Sequence, residues 1–183
     1  LSTLPFTLTN AQKKAGDEIL ADMAQPRPMN RLLNGDVGSG KTVLAALASF
    51  VTAHHGYQVA LLAPTEVLAR QHYESFTRLM ADTGHGIVLF TGSYRLSDGH
   101  PTTRPSLLKA IQAGIPRIII GTHALLQEDV IFDRLALIVV DEQHRFGVSQ
   151  RARLQELSFN SQDGSSELVP HFLSMTATPI PRT

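Results

Sequence analysis

A glycine-rich segment that ends in lysine and threonine is the strongest chemical signal in the sequence. Residues 35–42 read GDVGSGKT, a full GxxxxGKT pattern that follows an apolar run and opens a helical pattern. Glycines let the backbone wrap closely around an anion, so that successive N–H groups and the positive end of the next helix face a β-phosphate. The pattern therefore predicts a nucleotide-phosphate site at Gly35, Gly38, Ser39 and Gly40.

The lysine and the threonine of this pattern have separate tasks. Lys41 is placed to reach the β- and γ-phosphates, and the Thr42 hydroxyl is placed to bind Mg²⁺. The alternative is a glycine-rich turn with a solvated lysine, but three glycines, lysine and threonine all fall in register with the flanking elements. The motif indicates a bound nucleotide without naming the reaction.

Two adjacent carboxylates supply the second half of a phosphoryl-transfer site. Asp141 and Glu142 directly follow an apolar run, residues 137–140, which predicts a buried strand. Asp141 can hold Mg²⁺ opposite Thr42, and Glu142 is placed to orient and deprotonate an attacking water. The alternatives are an acid that caps a turn and a solvated carboxylate. The pair favours hydrolysis over binding alone, and no NKxD-type guanine reader is present.

Alternating strand and helix patterns are expected to position these residues. Predicted strands cover residues 29–33, 58–63, 87–90, 117–120, 135–140 and 172–175, and predicted helices cover 10–23, 41–54, 66–80, 106–113 and 149–157. Most of the strand runs are continuously apolar, as expected of strands buried on both faces of a parallel sheet. The fold class is therefore α/β with a mainly parallel central sheet.

Composition limits the remaining possibilities. The 183 residues carry 16 basic and 16 acidic side chains and no cysteine, which excludes a polybasic protein, a disulfide framework and a thiolate metal site. No apolar run approaches the length of a membrane-spanning helix. Residues 92–105 and 160–166 are predicted surface loops. A single domain is expected.

The segment DEQH at residues 141–144 resembles motif II of superfamily 2 helicases and translocases, in its DExQ/H form. Other segments resemble further motifs of that superfamily, in the expected order. Phe6 and residues 9–12 resemble the adenine-reading Q motif, residues 63–66 resemble motif Ia, and residues 91–93 resemble motif Ib. Residues 121–124 resemble the next strand-contact motif, and residues 176–178 resemble motif III. The segments GDVGSGKT, GTHALLQEDVIF, VVDEQHRFGVSQR and MTATPIPRT together resemble those of the RecG-type DNA helicases. The transcription-repair coupling factors are the nearest alternative, but they usually have DEEH at motif II.

This resemblance implies a three-layer RecA-like P-loop domain over residues 1–183, the first of two motor lobes. The lobe would bind ATP and Mg²⁺ in an ATP-dependent DNA helicase that remodels forks and Holliday junctions in recombination and repair. The family's N-terminal wedge and second lobe would lie outside these residues, as would its arginine fingers, so the segment alone is expected to bind ATP but hydrolyse it poorly. A monomeric, cytoplasmic, bacterial protein is implied, with no membrane partner. A nucleotide-gated scaffold and a P-loop kinase remain as alternatives.

The resemblance also assigns roles residue by residue. Phe6 and Gln12 would bind adenine, although Thr9 and Gln12 also form an ordinary capping-box pattern. Residues that would sense the γ-phosphate and couple it to the strand site are Gln143, His144, Thr176 and Thr178. Residues that would contact a DNA strand are Pro64, Thr65, Thr91, Gly92, Ser93, Gly121, Thr122 and His123. Turn geometry and a polar network between strand ends are the alternative explanations.

Two further groups of residues are given structural explanations. Arg70 and Arg78 each lie four residues after a glutamate, Glu66 and Glu74, which favours an exposed, ion-paired helix over a DNA contact. The pair at residues 54–55 is interpreted as a helix end rather than a zinc site, because the eight histidines lack metal-ligand spacing.

Overall fold

One sheet with helices on both faces organises the chain in the computed structural model, which describes residues 6–159 and 169–177. The strands are β1 (Asn30–Asn34), β2 (Gln58–Leu62), β3 (Ile87–Phe90), β4 (Arg95–Ser97), β5 (His100–Pro101), β6 (Ile118–Gly121), β7 (Leu135–Asp141) and β8 (His171–Thr176). The helices are α1 (Asn10–Met23), α2 (Lys41–His54), α3 (Glu66–Leu79), α4 (Arg104–Gln112) and α5 (Val148–Phe159), with short 3₁₀ helices at His123–Leu126 and Gln143–Arg145.

The sheet confirms the α/β prediction of a mainly parallel arrangement. Its strand order is β1-β8-β7-β2-β6-β3-β4-β5, and every pair from β1 to β3 is parallel. The β3–β4 and β4–β5 pairs are antiparallel and form one edge. Because parallel strands end on the same side, the loops after β1, β2, β3, β6, β7 and β8 meet at one carboxyl edge, where ligands bind in such folds.

Alternate strand residues separate the core into two layers. Val59 and Leu61 face the layer packed by α1, α2 and α3, whereas Ala60 and Leu62 face the layer packed by α4 and α5. All five β2 residues are buried, as expected for a strand covered on both faces. The outermost strand, β1, instead alternates between exposed and half-buried residues. The continuously buried pattern therefore holds in the middle of the sheet and fails at this edge.

The predicted elements are present with small boundary shifts, but the segment 92–105 is more than a surface loop. It contains the hairpin β4–β5, whose two connecting residues, Asp98 and Gly99, have φ angles of 47° and 84°. Asp-Gly is a strong two-residue hairpin signal because both positions need positive φ. The other predicted loop, residues 160–166, lies outside the described residues.

Gln58 is a buried polar side chain that joins four segments at the amino end of β2. Its side-chain amide donates to the carbonyls of Ile111 (3.0 Å) and Pro116 (3.1 Å). Its side-chain oxygen accepts from the backbone N–H groups of Asp133 (2.8 Å) and Arg134 (3.3 Å). The residue is fully buried, so all of its polar capacity is satisfied within the protein.

We predict that Gln58→Leu lowers the free energy of unfolding by about 2–4 kcal/mol, because it leaves buried donors and acceptors without partners. Urea unfolding followed by circular dichroism measures the change. Gln71→Leu, at an exposed position of α3, is the matched control and is expected to change stability by less than about 0.5 kcal/mol. Equal effects of the two substitutions would contradict a structural role for the Gln58 network.

His171 begins β8 and is held in its neutral form. Its Nδ1 accepts the backbone N–H of Met29 at 2.8 Å. Burial lowers the pKa of His171, and a hydrogen bond to the Met23 carbonyl offsets part of this shift. The pKa of His85 is also lowered by burial and by the nearby His54 and Arg117. Both imidazoles therefore take up protons more readily in the unfolded chain than in the folded one.

We expect the free energy of unfolding to decrease as the pH falls below about 6.5, the ordinary pKa of histidine, toward the lower pKa values that His171 and His85 have in the folded chain. The unfolded chain binds these protons first, so protonation favours unfolding. In His171→Asn, which keeps an acceptor for Met29, the fall in urea midpoint between about pH 7.5 and 5.5 should be smaller than in the wild type. His100→Asn, at an exposed site, should retain the wild-type pH dependence.

Candidate active site

The predicted phosphate loop connects the edge strand β1 to α2. Gly38 and Gly40 have φ angles of 82° and 89°, a left-handed conformation that glycine adopts without strain. Gly40 is also the N-cap of α2 and provides no side-chain hydrogen bond, whereas threonines cap α1, α3 and α4. The first N–H groups of α2 therefore remain available to an anion, which fits the β-phosphate of a nucleotide.

Lys41 folds back over the loop that precedes it. Its ammonium donates to the carbonyl of Gly35, to the carbonyl of Asp36 at 2.8 Å and to the Ser39 hydroxyl at 3.4 Å. The positive charge is thus held at the loop rather than extended into solvent. Phosphate oxygens can accept hydrogen bonds from the same N–H groups, so the geometry is compatible with the predicted role of Lys41.

Gln12 lies between the start of α1 and the phosphate loop. Its side-chain oxygen accepts the Thr9 N–H at 2.9 Å, and the Thr9 hydroxyl accepts the Gln12 N–H at 3.2 Å. This confirms the capping box. The Gln12 amide nitrogen contacts Gly40 so closely that a Cβ there would overlap with it. Phe6 is partly buried and packs against the core layer that includes residues of α1 and α2. Adenine binding by Phe6 and Gln12 stays a prediction.

Asp141 ends β7 and is hydrogen-bonded to a histidine that sequence reasoning missed. Nε2 of His72, on α3, lies 2.7 Å from Oδ2 of Asp141, and the two side chains are 10% and 14% exposed. The bond fixes the orientation of the carboxylate. His72 lies in the buried stripe of α3 with Ala69, Tyr73 and Phe76. A histidine at helical spacing within an apolar stripe was the available signal.

Glu142 adopts a conformation that is uncommon for residues other than glycine. Its φ and ψ are 49° and 52°, and its N–H donates to the Met175 carbonyl at 2.8 Å. Its carboxylate accepts the Ala177 N–H at 2.9 Å and lies 3.3 Å from Nε2 of His144. The end of β8 therefore orients the predicted base, through a contact that sequence reasoning did not identify.

The residues predicted to couple the nucleotide to the strand site are only partly placed. Gln143 begins the 3₁₀ helix after Glu142, and His144 contacts Glu142. Thr176 is the last residue of β8, and its carbonyl accepts the Gly35 N–H at 3.3 Å, which ties β8 to the phosphate loop. Thr178 lies outside the described residues. Sensing of the γ-phosphate by this group stays a prediction.

The site is suited to magnesium held with help from a nucleotide, not to a cage made of protein alone. Within residues 6–159 and 169–177 no group of three histidine or carboxylate side chains could hold a metal. His54 is the last residue of α2 and His55 is its C-cap, so this pair lies at a helix end. Mg²⁺ in nucleotide sites uses one or two protein ligands together with phosphate oxygens and waters. The Thr42 hydroxyl and the Asp141 carboxylate fit that donor set.

The predicted DNA-contact residues differ in exposure: some are buried turn residues, Pro64 is half-buried, and the others are exposed. Thr91 and Thr122 are buried, and each hydroxyl accepts a nearby backbone N–H. Gly121 passes so close to the Phe90 carbonyl that a Cβ could not be accommodated. Local geometry therefore explains these three residue types. Thr65 caps α3 through the Leu68 N–H at 3.3 Å. The other members of the group that remain exposed are Gly92, Ser93 and His123.

The predicted ion pairs along α3 are absent. Among the described residues, Glu66 and Arg70 form no salt bridge, and neither do Glu74 and Arg78. Glu66 instead accepts the Ser93 N–H at 2.8 Å, and this bond is the main cause of a lowered pKa for its carboxyl group. The ion-paired interpretation was therefore wrong. For Glu66 the reason is that a backbone donor 27 residues away binds its carboxylate.

Residues 9–183 match the family described as DEAD/DEAH box helicase. The chain is 47% identical over 183 residues to "ATP-dependent DNA helicase RecG" of Aquifex aeolicus (strain VF5), covering the whole chain and 22% of that protein. It is 50% identical over 181 residues to the protein of the same name from Streptococcus pneumoniae, covering 99% of the chain and 25% of that protein.

Solved structures agree with the fold. A chain from "Structure of RecG bound to three-way DNA junction" superimposes with a TM-score of 0.77 at 40% identity, covering 98% of this chain and 22% of that one. S. cerevisiae Dbp5 superimposes with a TM-score of 0.63 at 19% identity over 96% of this chain and 44% of its own, which supports the fold alone. The RecA-like prediction is confirmed. The chain spans about a quarter of the length of the curated relatives given above.

No helix in the described part of the chain is long and apolar enough to cross a membrane.

We predict that His72→Ala raises the Mg²⁺ concentration needed for tight nucleotide binding by about tenfold, because partners of metal ligands typically contribute that much to affinity. A fluorescent ATP analogue titrated with Mg²⁺ gives the midpoint. His72→Gln keeps a donor and should restore part of the loss, and exposed His100→Ala is the control. An unchanged midpoint in folded His72→Ala would show that the contact is only structural.

Proposed function

The chain belongs to the DEAD/DEAH box helicase family, and we propose that it is the ATP-binding motor lobe of a RecG-like DNA helicase. The observation that carries this proposal is the arrangement of the carboxyl edge. There the uncapped start of α2, with Lys41 held at the phosphate loop, follows β1, and the carboxylates Asp141 and Glu142 lie at the end of β7. Both strands pair in parallel with β8, so the two groups lie at the same edge of the sheet. A phosphate site and a general base at one sheet edge are what nucleotide hydrolysis requires.

Each residue of this edge has a defined task in the proposed reaction. The glycine-rich loop, with Gly38 and Gly40, presents N–H groups to the β-phosphate, and Lys41 binds the β- and γ-phosphates. Thr42 and Asp141 would hold Mg²⁺, which neutralises charge on the phosphate oxygens when it is bound. Phe6 and Gln12 would bind the adenine ring. These contacts orient the γ-phosphate without forming a covalent bond to the protein.

Glu142 is the proposed general base. Its carboxylate is held by the Ala177 N–H, and its backbone is fixed by the Met175 carbonyl, so it cannot swing freely. A carboxylate held in this way can orient a water toward the γ-phosphate and accept its proton. This geometry favours hydrolysis over a nucleotide-gated scaffold, in which no oriented base is needed. Gln143, His144 and Thr176 would transmit the state of the γ-phosphate.

In the whole protein, ATP hydrolysis would drive branch migration and the remodelling of forks and Holliday junctions during recombination and repair. Support comes from relatives that carry the name RecG and from the likeness to a RecG chain described as bound to a three-way DNA junction. Thr65 and the exposed loop residues Gly92, Ser93 and His123 would contact a DNA strand. A second lobe of the same polypeptide would supply the arginine that completes the site. We further propose a monomer in the bacterial cytoplasm.

The proposal predicts that binding and hydrolysis can be separated. Lys41→Ala should weaken ATP binding by at least about tenfold, because a charge-assisted contact to phosphate is lost. Glu142→Gln should retain ATP binding while hydrolysis by the two-lobe protein falls by about a hundredfold or more. Isothermal titration calorimetry and single-turnover phosphate release measure the two effects.

Lys14→Ala, at an exposed position of α1, is the control and should change neither quantity. Loss of binding in Glu142→Gln, or normal hydrolysis by that variant, would contradict the assignment of Glu142 as the base. The 183-residue chain alone should hydrolyse ATP slowly. Robust DNA-stimulated hydrolysis by it would show that no outside arginine is needed.

A further inference from the structure

We propose that Arg70, held by Tyr94, binds a backbone phosphate of a DNA strand at the carboxyl edge of the sheet. The inference rests on the proposed function, because it adds a contact to the strand path that the function requires. It reverses the interpretation that α3 sequence spacing favours, in which Arg70 is a solvated partner of Glu66. Three observations support it: the partner of Glu66, the environment of Arg70 and the environment of Tyr94. The positions of Arg70 and Tyr94 at the carboxyl edge of the sheet then indicate the ligand.

The first observation is that Glu66 is already engaged. Its carboxylate accepts the Ser93 N–H at 2.8 Å, and further hydrogen bonds from the loop help to lower its pKa. A Cβ on Gly92 would lie 3.3 Å from the same carboxylate oxygen, so the loop is tightly packed on it. The Ser93 N–H therefore binds an anion supplied by the protein itself. It does not donate to a phosphate in this arrangement.

The second observation is that Arg70 keeps its hydrogen-bonding capacity. Within the part of the chain that the structure describes, its guanidinium has no ion pair and no hydrogen bond. The guanidinium instead lies over the ring of Tyr94, whose centroid is 4.8 Å from Cζ. A guanidinium that lies over an aromatic ring is restrained but keeps its N–H donors at its rim. It is thus an oriented cation with donors to spare.

The third observation is that hydrogen bonds fix the backbone of Tyr94 while the residue stays exposed to solvent. Its N–H donates to the Thr91 hydroxyl at 2.9 Å, and its carbonyl accepts the Thr91 N–H at 2.9 Å. Its side chain is nevertheless 42% exposed. Neighbouring Arg95 donates to the Gly92 carbonyl at 3.0 Å.

Position and chemistry together select a nucleic-acid phosphate. Arg70 lies in the second turn of α3, whose N-cap is Thr65, and Tyr94 follows the end of β3. Both therefore lie among the loops of the carboxyl edge, next to the residues proposed to contact a strand. A planar guanidinium with free donors matches a phosphodiester better than a point charge does. An acidic protein surface is the other class of anion that Arg70 could bind, and competition by poly-glutamate distinguishes it from DNA.

The test compares arginines on the same helix. Arg78 is exposed, forms no ion pair with Glu74, and lies two turns beyond Arg70, about 12 Å along the axis. Binding of a labelled single-stranded oligothymidine to the 183-residue chain is measured by fluorescence anisotropy at several salt concentrations. Arg70→Gln should weaken binding about five- to tenfold and lower the slope of log affinity against log salt by about 0.7. Arg78→Gln should change both much less.

Substitutions at Tyr94 test how the arginine is held. Tyr94→Leu should weaken binding about two- to fourfold, because it removes the ring that restrains Arg70, and Tyr94→Phe should retain affinity. A structural role for Arg70 would not alter the salt slope. Poly-glutamate should compete poorly with the oligonucleotide, and equal competition would overturn the proposal in favour of an acidic protein partner.

The remaining outcomes separate this inference from the proposed function. Equal effects of Arg70→Gln and Arg78→Gln, or an unchanged salt slope in Arg70→Gln, would overturn the inference while DNA binding itself stands. A wild-type chain that binds ATP but no DNA would also overturn it and would leave the nucleotide assignment intact. A chain that binds neither would contradict the proposed function itself.

Discussion

The register of β8 is the constraint on which the candidate site depends. β8 pairs with β1 on one side and with β7 on the other, with Thr176 opposite Asn34 and Met175 opposite Asp141. The phosphate loop begins directly after Asn34, so the two halves of the site must end at the same level of the sheet. Two strand spacings of about 4.8 Å separate them. A shift of β8 by one residue would move the loop and the carboxylates out of register.

The same strand also restrains Glu142, whose left-handed backbone costs on the order of 1 kcal/mol in an ordinary residue. The Met175 carbonyl and the Ala177 N–H, at the end of β8, compensate for that cost by binding the Glu142 backbone and carboxylate. Any displacement of the end of β8 would therefore change the orientation of the proposed base. Two hydrogen bonds from the end of β8 therefore hold an uncommon backbone conformation at the proposed base.

Local patterns predicted much of this structure, and long-range contacts account for what they missed. Helices and buried strands follow from periodicity, and the GxxxxGKT and DE segments lie at the predicted strand ends. The Asp98–Gly99 hairpin had a local signal that was available but unused. The bond between His72 and Asp141 joins residues 69 apart, and no spacing rule reaches that far. Glu66 had two possible partners, and tertiary structure selected the distant one, Ser93.

α3 joins the candidate nucleotide site to the proposed strand contact. Its buried stripe includes His72, which contacts Asp141, while its exposed face carries Arg70 next to Tyr94. Helix geometry places residues two positions apart about 200° around the axis, so these side chains leave on nearly opposite faces. If a strand bound at the exposed face moved α3, His72 would move relative to β7 at the other face. The neutral overall charge is consistent with this design, because one oriented cation can contact a phosphate without a basic surface.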